Sequence, residues 1–140
     1  MTLEEFGRFL QSKSVGRIES PVSEHMVDRV YSGMKYIGSI TTPMKWIVNS
    51  PEGYEVMRRI DANTWLRYPE KPIINDVEQL DLEESLYDAL ALHVMAGLET
   101  QRSKVNMGMF YAEIDLYNSK LIETYLEIAT NDAPRYYVFP

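Results

Sequence analysis

Two stretches decide the fold: "LEESLYDALALHVMAGL" (Leu82–Leu98) and "VNMGMFYAEIDLYNSKLIETYLEIA" (Val105–Ala129). In the first, Leu82, Leu86, Leu90, Val94 and Leu98 recur at four-residue steps and trace one helical face. In the second, Met107, Phe110, Ile114, Tyr117, Leu121, Tyr125 and Ile128 recur at steps of three and four, opposite Glu113, Lys120, Glu123 and Glu127. Only the short segment Glu99–Lys104 joins them. The pattern predicts an antiparallel helical hairpin over 82–129, with helices at about Leu82–Gln101 and about Val105–Ala129. Asp81, with Glu84 three residues on, is the expected N-cap of the first helix. Ala89, Ala91, Ala96 and Gly97 would let a neighbouring helix approach closely.

Upstream of the hairpin, "TLEEFGRFLQSK" opens with Thr2 and Glu5 in capping-box spacing, and Leu3, Phe6, Phe9 and Leu10 form its apolar face. "VSEHMVDRVYSGMKYIGSI" carries a second stripe of Val22, Met26, Val27, Val30, Met34 and Ile37, with Gly38 as a candidate stop. Pro43, Pro51 and Gly53 rule out a long helix between Thr41 and Tyr54, and "MKWIV" there reads as either a short strand or a single turn. The ribbon "YEVMRRIDANTWLRY" (54–68) alternates like two strands around an Asp-Ala-Asn turn, and Pro69 and Pro72 end it. A lone hairpin is marginal in water, so this one must lie on the helices. The expected fold is mainly α: a small helical bundle with an antiparallel helix pair and a short β-hairpin, in a single domain over 1–140. An extended, apolar C-terminal tail spans 134–140.

Composition narrows the chemistry. A chain of 140 residues can bury a core without disulfides or metal, and it has no cysteine for a disulfide, a thiolate site or a nucleophile. The net charge is −7, and the excess is local: Asp76–Gln101 holds seven acids and no Lys or Arg, while the rest of the chain balances. That polarity argues against sequence-specific nucleic-acid binding and suits either a basic partner or a solvated helix start. No run approaches the roughly 20 apolar residues of a membrane span, and the first residues do not resemble a secretion signal.

Catalytic signatures are absent: no phosphate-binding glycine loop, no nucleophile elbow, and no second ligand at helical spacing from His25 or His93. His93 borders the Leu90/Val94 stripe and reads as a half-buried structural imidazole. The acids Asp81, Glu83, Glu84 and Asp88 sit where a helix dipole already favours them. No cofactor, metal or enzymatic activity is expected. The candidate partner-contact residues are Arg58, Arg59 and Arg67 on the ribbon, and Tyr136, Tyr137 and Phe139 in the tail. Arg58 and Arg59 point to opposite faces of a strand, so one of them at least should face solvent or an acid.

The order of these elements resembles a known family. Small helices precede a strand pair ending "WLRYPEKP"; an acid-led helix "LDLEESLYDALALHVMAGL" and a helix holding "YAEIDLYNSKLIETYLE" come after it. This is similar to the head–tail connector, or adaptor, proteins of tailed bacteriophages. The resemblance is one of pattern over Asp76–Glu127. It implies a non-enzymatic virion protein, made in the host cytoplasm, that forms a ring of its own copies joining portal to neck and tail proteins. The ribbon and the tail would be the segments that clip onto neighbours. The alternatives are an acidic helical module that masks a basic partner and, less favoured, a small enzyme.

Overall fold

The computed structural model describes residues 1–18, 24–75 and 77–131, with side chains through Glu123. Helix α1 (Leu3–Lys13) begins as its sequence requires. Thr2 Oγ1 accepts from Glu5 N, and Thr2 N in turn donates to Glu5 Oε1. Helix α2 (Glu24–Ile40) buries Met26, Val27, Val30, Met34 and Ile37. It runs through Gly38 rather than stopping there. A Cβ at Gly38 would come within 2.9 Å of the Trp46 ring and 3.0 Å of Met57, so this glycine is a point of close packing.

One turn of 3₁₀ helix (Met44–Trp46) leads into β1 (Ile47–Val48), so "MKWIV" is both turn and strand. Strands β2 (Val56–Arg59) and β3 (Trp65–Arg67) form the expected ribbon. It is not a free-standing hairpin, because β1 pairs antiparallel with β3 and makes a three-stranded sheet in the order β1-β3-β2. The turn closes through Asp61 Oδ1, which accepts from Asn63 N at 2.8 Å. Val56 faces Arg67 and Arg58 faces Leu66, leaving Met57 as an extra residue. This bulge interrupts the simple alternation expected from Tyr54 onward.

The sequence expectation needs its largest correction at the start of the hairpin. A 3₁₀ turn covers Glu84–Leu86, and α3 spans Tyr87–Leu98. Asp81 does not cap it; that carboxylate is taken by Arg67. After a second 3₁₀ turn (Thr100–Arg102), α4 runs from Ser103 to Asn131. The two helices are antiparallel: the His93 ring meets Phe110 at 5.4 Å, while Glu83, just ahead of α3, accepts from Tyr117 Oη at 2.7 Å.

α3 lies at the centre, against α1, α2 and α4. It buries Ala89, Leu90, Ala91, Leu92, Val94, Met95 and Ala96, which leaves it little polar face. Gly33 of α2 admits it: a Cβ there would be 2.9 Å from Leu90 and 3.1 Å from His93. From α4 come Phe110, Ile114, Tyr117 and Leu121, all buried. Tyr125 and Ile128 lie beyond the described side chains. Ile114→Ala should cost about 2–3 kcal/mol through the cavity it leaves. Urea denaturation checks this, and an unchanged midpoint would refute the packing.

Candidate protein–protein interaction surface

The three ribbon arginines have separate environments. Arg58 reaches the end of α2. Its Nη1 donates to Gly38 O, and its Nη2 donates to Thr41 O at 3.0 Å and Thr42 Oγ1 at 2.8 Å. Carbonyls at a helix C-terminus lack intrahelical donors and attract a cation, so Arg58 acts as a cap supplied from the sheet. Burial pulls its pKa down from the usual guanidinium value.

Arg67 pairs with Asp81 in a fork, at 2.5 and 3.0 Å, and its Nη2 also donates to Lys45 O. The Asp81 hydrogen bond, opposed by burial, raises the Arg67 pKa. Arg59 is the exposed member. It donates to Asp61 O and Ala62 O at 2.9 Å and lies over the Trp65 ring at 5.4 Å. Basic ribbon and acidic lead-in therefore meet within one chain, at Arg67 and Asp81. Other acids of the acidic stretch are also engaged: Asp88 with Lys13 at 2.8 Å and Glu99 with Arg17 at 2.6 Å.

Trp46 is a further structural anchor next to the ribbon. It is fully buried, and its indole N–H donates to Asp81 O at 2.6 Å. The 3₁₀ turn that holds it has no periodicity to mark it in sequence. His93 behaves as expected, half-buried between Tyr36 and Phe110, with burial lowering its pKa so that the imidazole is neutral at pH 7.

The outer face of α4 presents an exposed apolar stripe. Val105, Met109, Ala112 and Leu116 recur at steps of four, three and four, and all are exposed; Val105, Met109 and Leu116 are 64%, 51% and 51% open. At about 100° per residue this stripe lies roughly 130° around the helix from the buried one. Ile122 and Tyr111 add apolar surface along a third line. The stripe lies in the part of α4 that runs beside α3, so its exposure follows from its position around the helix: it points away from the face that carries Phe110, Ile114 and Tyr117. The second stripe could have been read from the sequence, since its spacing is as regular as that of the first. Tyr136, Tyr137 and Phe139 lie outside the described residues.

Comparison with protein-family models, with curated proteins and with solved structures finds no match. Among the described residues, no group of three or more His, Asp or Glu side chains is placed to hold a metal, and no helix is long and apolar enough to cross a membrane.

Proposed function

We propose that the chain is a structural assembly protein, a subunit of the adaptor ring that joins a phage portal to neck or tail proteins in the virion. The observation that carries this reading is α4. It is apolar on the face that packs against α3 and again on the outer stripe of Val105, Met109 and Leu116. Exposed apolar residues set at helical spacing along one line suit docking on another chain. A ring built from one repeated heterologous contact needs such a surface on every copy. The pattern resemblance over Asp76–Glu127 supplies the phage setting.

On the ribbon, Arg59 is the candidate partner contact, because Arg58 and Arg67 already hold their own chain together. The alternative of an acidic module that masks a basic partner draws less support. Asp81, Asp88 and Glu99 are each bound to a basic residue of this chain.

Light scattering of the chain alone and mixed with a candidate portal protein tests the proposal. Wild type is expected to give a ring-sized species in at least the mixture. The double variant Met109→Glu, Leu116→Glu is expected to stay monomeric, with a melting temperature within about 2 °C of wild type because both positions are solvent-facing. Arg59→Glu should weaken the assembly without lowering stability. Normal assembly by the double variant would sink this reading.

A further inference from the structure

Arg29 differs from the other half-buried arginines. Arg58 has three acceptors in its own chain, and Arg67 has a carboxylate fork. Arg29 Nε donates to His25 Nε2 at 3.3 Å, and no acceptor among the described residues takes its terminal nitrogens. No carboxylate of the described residues lies within salt-bridge distance of it, whereas Arg17 and Arg67 each have one. The guanidinium extends across the groove between α2 and α3 to Gly97, where a Cβ would stand 2.5 Å from Nη1. Gly97 thus leaves the room that the guanidinium occupies.

Around it lies a cleft of about 270 Å³, lined by His25, Asp28, Arg29 and Ser32 of α2 and by His93, Val94 and Gly97 of α3. Neither the Ser32 hydroxyl nor the His93 ring nitrogens have a hydrogen-bond partner among the described residues. Among the described residues, the two terminal guanidinium nitrogens, the Ser32 hydroxyl and the His93 imidazole therefore line one small space with their hydrogen-bonding capacity unspent, while His25 has given its Nε2 to Arg29 and keeps one ring nitrogen. The opposing charge is Asp28. It sits at the rim and is held by Lys71 at 3.2 Å, which offsets it. Of the α2 members only His25 lies in the first turn of that helix, so the helix dipole contributes little here; the last turn of α3 carries the opposite sign, and Arg29 lies over that end.

The geometry points to a binding site for a phosphate group in the α2–α3 cleft, with Arg29 as the principal ligand and Ser32, His25 and His93 as additional hydrogen-bond partners. It is independent of the assembly surface on α4. Arg29 would bind two phosphate oxygens through its fork, as guanidinium does with planar or tetrahedral oxyanions. A cleft of this volume accepts a phosphate with a small organic substituent.

Titration of the whole chain with inorganic phosphate and, separately, with methyl phosphate tests the site, read by amide and imidazole NMR shifts at constant ionic strength. Saturable shifts are expected at His25, Arg29, Ser32 and His93. Arg29→Gln should weaken binding about tenfold or more, since it removes a charge-assisted pair. Arg29→Lys keeps the charge but not the fork and should fall between. Gly97→Ala should weaken binding by displacing the guanidinium, while the exposed Arg8→Ala should leave it unchanged. Saturation by methyl phosphate alone would assign the site to phosphate esters. Shifts that never saturate, or equal affinity in Arg29→Gln, would overturn the proposal. Arg29→Lys keeps the test decisive if the glutamine variant does not fold.

Discussion

Trp46→Ala is expected to be the most damaging single change, lowering stability by about 4–5 kcal/mol. Three losses combine. The indole is fully buried and lies close against Gly38, so its removal leaves a cavity there. Asp81 O loses the indole N–H that donates to it at 2.6 Å. The turn that carries Trp46 also leads into β1, the strand that completes the sheet. For a domain of this size the melting temperature should fall by roughly 15–20 °C. Trp46→Phe keeps much of the ring but not the donor, and should lose only part of this. A small change in both variants would show that Trp46 does not anchor the sheet to the helices.

Arg67→Ala should cost about 3 kcal/mol, the lower end for breaking a buried ion pair, because some solvent still reaches both groups. The Arg67 and Asp81 side chains are 14% and 10% exposed. Without the guanidinium, Asp81 keeps the Glu70 N–H at 2.9 Å but no counter-charge in its fork. The same pair sets a pH dependence. Burial alone would raise the Asp81 carboxyl pKa, but Arg67, the Glu70 N–H and Lys45 outweigh it and hold it below the ordinary value. A depressed folded-state pKa means stability that is present above the unfolded value, near 4, and lost as pH falls through the folded one. Wild-type melting temperature should therefore drop below about pH 4, and Asp81→Asn should show a shallower drop from a lower start. Parallel acid profiles for the two proteins would remove Asp81 from the account.

The helical hairpin was legible because burial imposes a period. Leu90 and Val94 on one helix, with Leu86 in the turn just ahead of it, and Phe110, Ile114, Tyr117 and Leu121 on the other, are buried at the spacing their sequence announced. The capping box at Thr2 was legible for a similar reason, since both of its partners lie within one turn. The features that escaped were set by tertiary contact. Asp81 fits an N-cap by local rules, but Arg67, 14 residues earlier, offers a stronger partner in a fork. Arg58 caps a helix that ends 18 residues before it, which no window of sequence reveals. β1 has two residues, too few to show alternation, and it exists because β3 offers it an edge. In the candidate interaction surface, the arginines were found as residue types, but only the folded chain separates Arg59 from its two internally bonded neighbours.

The burial of α3 on nearly every side bears on how the domain comes apart. An amphipathic helix at a surface can lift away while the rest of a protein stays folded. α3 has no such exit, because α1, α2 and α4 all pack on it and bury seven of its 12 residues. Its backbone amides can meet solvent only when those contacts open together, so its local opening free energy approaches that of the whole domain. Cooperativity here is a matter of placement: the shortest path to exposing the centre is to unfold everything around it.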